Sequence, residues 1–169
     1  MQRSIRFDLK KTLCASFAAA AIFAATPAPA QMTQPAPMVQ GGRFGLGFVL
    51  GEPTGVNAKL WRGRDLALVG GLAWSFVHDG ATTLYGDFIW HHFGLFDLES
   101  GALPLYVGAG ARLQFENESR FGIRTVVGFD YIFARSPFDA FFELVPTFDV
   151  APEADVTLTA AVGFRYFFQ

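Results

Sequence analysis

The chain has 169 residues, of which 51% are apolar and 17% are charged, and its formal net charge is −2 at pH 7. That length suits one domain, and a weakly acidic chain without a basic run argues against a nucleic-acid partner. No segment after residue 30 has the ~18 uninterrupted apolar residues that a membrane-spanning helix requires, so we do not expect helical spans.

The first 30 residues predict a cleaved secretory signal peptide. An apolar run over residues 12–25 precedes Ala28-Pro29-Ala30, which has the small-x-small pattern of a cleavage site. The run is short and meets Pro27, which disfavours an uncleaved anchor. A basic stretch opens the segment: Arg3, Arg6, Lys10 and Lys11. The single cysteine, Cys14, lies within it, so the mature chain lacks a disulfide or thiolate metal site.

Residues 31–42 read as a flexible linker, and residues 43–169 then alternate between two faces in eight segments. Turn-forming residues separate most of these segments. Tilted strands of roughly 9–13 residues cross a bilayer, and most of the segments have about this length. The predicted strands are 43–51, 55–61, 65–77, 82–91, 103–115, 120–133, 139–150 and 156–169.

The two faces of these strands differ in charge. One face is aromatic-rich and uncharged; in the last strand it consists of Val156, Leu158, Ala160, Val162, Phe164, Tyr166 and Phe168. The opposite faces hold four cations and four anions: Lys59, Asp87, Arg112, Arg124, Asp130, Glu143, Asp149 and Arg165. A charge facing lipid near the midplane costs about 2–4 kcal/mol, so the uncharged face should point outward.

The pattern therefore predicts an all-β protein, an eight-stranded antiparallel up-and-down transmembrane β-barrel. Its inward charges should form a salt-bridged interior, or alternatively line a narrow pore for ions or small solutes. A soluble lipocalin-like barrel would have to enclose the whole aromatic face, and eight strands leave too little interior room for that. Glycines on the charged face suit a crowded interior better than a solvated surface.

Two stretches resemble known outer-membrane proteins. Gly163, Tyr166 and Phe168 resemble the C-terminal signal that the barrel-assembly machinery reads, although Gln169 follows the final Phe. The first hairpin, with Gly-x-Pro-Thr-Gly at residues 51–55, resembles a little-characterised family of small outer-membrane barrels. Residues 43–168 resemble the OmpA-type transmembrane barrel. The resemblance implies a Gram-negative outer membrane, with its lipids and the assembly machinery as partners, but no activity.

Enzymatic chemistry finds little support in the sequence. Outer-membrane lipid A deacylases carry His-x-Ser, whereas the residues two positions after the three histidines are Gly80, Phe93 and Gly94. An envelope-lipid-modifying enzyme that uses His78 is the least favoured hypothesis. Adjacent residues on a strand point to opposite faces, so His91 and His92 cannot chelate one ion. We expect no metal and no cofactor.

Aromatic residues near the strand ends predict an interfacial belt: Trp61, Trp90, Tyr131, Phe133, Tyr166 and Phe168, with His91 and His92 beside them. The longest connection covers residues 92–102 and would be periplasmic if both termini are periplasmic. Either the strand boundaries differ there, or the segment binds a periplasmic partner. The predicted function is a non-enzymatic structural or envelope-interaction role, with the narrow pore as the alternative.

Overall fold

The computed structural model describes residues 41–75, 81–116 and 119–169. The predicted signal peptide, the linker up to residue 40 and His78 lie outside these ranges. Within the described ranges, no helix is long and apolar enough to cross a membrane.

Eight long strands form one closed antiparallel sheet. Each pairs with its neighbour along the chain, and the first pairs with the last to close the barrel. The predicted eight-stranded antiparallel barrel is thereby confirmed. In sequence, two short strands lie between the fourth and the fifth long strand. The strands are β1 (Phe44–Gly51), β2 (Thr54–Trp61), β3 (Leu66–Trp74), β4 (Thr82–His92), β5 (Asp97–Leu98), β6 (Gly101–Ala102), β7 (Leu105–Phe115), β8 (Arg120–Phe133), β9 (Phe138–Ala151) and β10 (Asp155–Phe168).

Strand β4 shows how alternation sorts side chains between interior and surface. Asp87 is 4% exposed, whereas its neighbour Phe88 is 55% exposed. Successive side chains on a strand point to opposite faces, so one parity enters the barrel and the other covers its outside. The apolar side chains face outward here, whereas a soluble lipocalin-like barrel would have them face inward.

The two ends of the barrel are distinct. The terminal end contains Phe44, Phe168 and the connections that follow β2, β4 and β8. The far end contains the last residues of β1, β3, β7 and β9. The long connection at the terminal end is not an open loop. Strands β5 and β6 form a hairpin within it, and β6 pairs with β8 through Gly101↔Phe133 and Ala102↔Ile132.

Candidate functional site

The barrel interior collects the charged side chains. All eight residues of the predicted charge set lie there, and none is more than 9% exposed. The structure adds Asp139, which is fully buried, and His91, which is 3% exposed. Asp139 has the same parity as Phe141 and Glu143 in the predicted strand 139–150, so strict alternation would have identified it.

Five of these groups form a compact terminal cluster: Lys59, His91, Asp130, Asp139 and Arg165. The Lys59 ammonium donates to the Asp130 carboxylate, and its Nζ is 3.4 Å from Asp139 Oδ2. Arg165 Nε donates to Asp139 Oδ1 at 2.7 Å, and its Nη2 donates to Asp130 Oδ1 at 3.3 Å. Two cations thus face two carboxylates, which offsets the cost of removing each charge from water.

His91 completes this cluster from β4. Its Nδ1 lies 3.2 Å from the Asp65 carbonyl oxygen, and its Nε2 lies 3.0 Å from Lys59 Nζ. A carbonyl only accepts and an ammonium only donates, so the proton is assigned to Nδ1 and Nε2 accepts from Lys59. The expectation that His91 belongs to the interfacial belt is wrong, because the parity of β4 turns its ring into the barrel.

Aromatic rings cover the cluster at the terminal end. The Trp61 ring lies 4.4 Å from the His91 ring and 4.2 Å from Lys59 Nζ. Phe93 stacks on His91 at 6.1 Å, and Phe167 is fully buried. Trp61 was also expected in the belt, and that expectation is wrong: it shares the parity of Lys59 and packs inside the barrel mouth. A cation over the face of an indole ring is stabilising, and more so where the cation is buried, as Lys59 is.

A hydrogen bond and two further ion pairs lie between this cluster and the far end of the barrel. Tyr106 donates to Glu143 Oε2 at 2.9 Å, and Arg124 Nε lies 3.0 Å from Asp87 Oδ1. Arg112 holds Asp149 through two bonds, Nε to Oδ1 at 3.2 Å and Nη2 to Oδ2 at 2.7 Å. The two-bond guanidinium–carboxylate geometry is the stronger form of such a pair. Each of the eight predicted charges therefore has a partner inside the barrel.

Glycines make room for the large interior side chains. Gly71, Gly128 and Gly163 are the cross-strand partners of Tyr85, Tyr106 and Phe141. A Cβ added at these glycines would lie 2.4 Å, 2.6 Å and 2.2 Å from the respective rings. The same relation joins Gly47 with Arg165, Gly110 with Asp87, and Gly122 with Asp149. One bulky side chain per cross-strand pair is what a narrow eight-stranded interior accommodates.

The residues that resemble the assembly signal divide between the two faces. Gly163 faces inward against Phe141, while Tyr166 and Phe168 are 41% and 44% exposed on the outer surface. Phe168 stacks on Phe44 where β10 pairs with β1 to close the barrel, and the two ring centroids are 6.1 Å apart. Among the described residues, no group of three or more His, Cys, Asp or Glu side chains has the placement to hold a metal ion.

No family model matches the chain, and no curated protein matches it. The crystal structure of the N-terminal β-barrel domain of Pseudomonas aeruginosa OprF is similar to it, with a TM-score of 0.60 at 16% sequence identity. The match covers 75% of this chain and 98% of that one. The likeness of the first hairpin to a little-characterised family stays a prediction. The likeness to this domain is one of fold: both chains form a closed β-barrel.

Proposed function

We propose that this protein is an integral barrel of the bacterial outer membrane with a structural or envelope-interaction role and no enzymatic activity. One observation carries the proposal: charged side chains of the eight long strands face the interior, apart from Arg120 and Asp155 at strand ends. The outward faces are predominantly apolar, with Phe48 and Leu158 each 68% exposed. In water, such a continuous apolar surface promotes aggregation.

A bilayer accounts for both faces at once. Lipid chains cover the outer side chains, while the closed sheet satisfies the backbone hydrogen bonds that an open edge would leave unpaired. The charges avoid lipid by lying inside, where carboxylates neutralise the four cations. Lipids of the outer membrane, and the machinery that inserts barrels, are the partners that this arrangement implies.

The interior supports a plug rather than an open channel. Ion pairs occupy the barrel from the terminal cluster to the Arg112–Asp149 pair, and aromatic rings lie over glycines between them. Large side chains that interlock in this way leave little continuous space for solute. We therefore expect the folded protein to be silent in conductance measurements.

Electrophoretic heat-modifiability tests the membrane-barrel proposal. Residues 31–169, refolded in detergent, should give an unboiled band that migrates away from the boiled one, because a closed barrel resists the denaturant until heated. A monomer that folds and stays soluble without detergent would contradict the proposal.

A narrow pore is the second candidate, and the charged lining from one end of the barrel to the other favours it. Conductance across liposomes that contain heat-modifiable protein separates the two. Stable openings whose ion selectivity shifts in Arg124→Glu would establish the pore and reject the plug, since an inverted charge in the lining changes which ion passes.

A further inference from the structure

The connection after β4 has two parts, one that packs inside the barrel and one that lies outside it. Its first residue, Phe93, packs inward against Trp61 and His91. The following residues form the outer hairpin, which we define as residues 95–102. Hydrogen bonding attaches it to the wall: β6 pairs with β8, and Ala134 N donates to Ser100 O at 3.3 Å.

Side chains on the outer surface of β8 hold this hairpin. The Phe96 ring contacts the Phe129 ring edge-on at 6.0 Å. Ser100 Oγ lies 3.1 Å from the Tyr131 hydroxyl. Phe129 and Tyr131 share the outward parity of β8. The hairpin therefore lies against the same surface that the lipid-facing side chains form.

The hairpin itself exposes apolar side chains. Leu95 is 56%, Phe96 is 48% and Leu98 is 42% exposed. A short hydrophilic turn would suffice to join β4 and β7 at an end of a barrel that faces water. These three side chains instead add to the apolar outer surface beside β8, and Phe96 makes that surface continuous through Phe129.

We propose that the outer hairpin is a lipid anchor, with Leu95, Phe96 and Leu98 inserted at the headgroup–acyl boundary of the leaflet at the terminal end. The inference rests on the proposed membrane location. A lipid surface is the favoured occupant because the exposed side chains continue the lipid-facing wall. A periplasmic partner, which was one of the two alternatives that the sequence left open for residues 92–102, is the competing occupant.

Single-tryptophan variants in vesicles of brominated phosphatidylcholine test the proposal. The three native tryptophans lie at Trp61, Trp74 and Trp90. The probe is Phe96→Trp with all three replaced by Phe. Two matched variants retain only Trp90, 48% exposed on the outer wall, or only Trp61 inside the mouth. Heat-modifiability establishes that each variant has folded.

Lipid bromine should quench the tryptophan at position 96 about as strongly as Trp90 and several-fold more than Trp61. Bromines placed near the headgroup should quench it better than bromines placed deep in the acyl chains. Position 96 quenched by aqueous iodide but not by lipid would overturn the anchor and leave the hairpin open to a protein partner. An unquenched Trp90 would instead contradict the membrane location itself.

Discussion

At the residue scale, stability depends on how completely the buried charges are paired. Lys59 lies between two carboxylates at zero exposure, so its removal leaves Asp130 and Asp139 with one cation, Arg165. Breaking a buried pair by removing one partner costs more than the pair contributes, because the remaining charge stays desolvated.

We expect Lys59→Met to lower the free energy of unfolding by about 3–5 kcal/mol. Urea titration of protein in vesicles measures this change. Lys59→Met with Asp130→Asn should recover part of the loss, since the second change restores charge balance. The control is Arg120→Ala: Arg120 is half exposed and lies 3.7 Å from Glu116, so its loss should cost about 0–1 kcal/mol. Equal losses at positions 59 and 120 would refute a stabilising terminal cluster.

The glycine–aromatic pairs make a second prediction at this scale. In Gly71→Ala the new methyl group would meet the Tyr85 ring, so we expect a loss of about 1–3 kcal/mol from overpacking. Moving the ring also disturbs Arg124, which lies 4.1 Å above it. Gly86→Ala is the matched control, because a Cβ there meets nothing within 4 Å.

A double-mutant cycle of Gly71→Ala with Tyr85→Leu checks the cause of that loss. All three atoms nearest the added Cβ belong to Tyr85, so the smaller side chain should relieve the clash and show coupling of about 0.5–3 kcal/mol. Strictly additive losses would mean that the ring is not the obstacle.

At the scale of the strand, the face on which a side chain lies determines how much a charged substitution there destabilises the barrel. Phe88 lies in the middle of β4 and faces outward. We expect Phe88→Arg to destabilise the inserted barrel by about 2–4 kcal/mol, because the guanidinium would face lipid near the midplane.

The same change near a strand end supplies the control. Val156 is 63% exposed and lies one residue into β10 at the far end. Val156→Arg should cost about 0–1 kcal/mol, since charges near the interface are tolerated. Urea unfolding in vesicles measures both variants. Equal, small effects would indicate that Phe88 faces water rather than lipid.

At the scale of the whole molecule, closure depends on the pairing most distant in sequence. Phe44 pairs with Phe168, and Gly45 pairs with Phe167, whose ring is fully buried. Phe167 N also donates to Pro137 O at 2.7 Å. The pairing of β1 with β10 therefore closes the barrel, and the Phe167 ring covers the terminal end of the interior.

Removal of residues 167–169 should prevent formation of the compact heat-modifiable band. The β1–β10 pairing would then lack Phe167, which fills the interior, and Phe168, which lies on the outer wall. Removal of Gln169 alone should leave the band intact, since Gln169 is exposed and lies beyond β10. Detergent refolding followed by gel migration measures both. A truncated chain that still gives the compact band would show that closure does not require these residues.

Local patterns in the sequence were enough to predict the strand number, the antiparallel order and the facing of most side chains. The alternation of Asp87 with Phe88, or of Arg165 with Phe164, has a period of two, and period two is a local property of an extended chain. The lack of charge on one face then predicted which side would meet lipid in the proposed membrane barrel, because the penalty for a lipid-facing charge depends on residue type and depth.

Which interior residues meet depends on the tertiary structure. Pairing Lys59 with Asp130, or Gly71 with Tyr85, depends on strand register and on groups that approach across the barrel, and a single strand's pattern contains neither. His91 and Trp61 were assigned to the belt because belt residues and interior residues near strand ends have similar compositions, although both share the parity of the inward charges Asp87 and Lys59. The hairpin at residues 95–102 was not predicted because its two strands are only two residues long, and β6 alone connects it to the wall by pairing with β8.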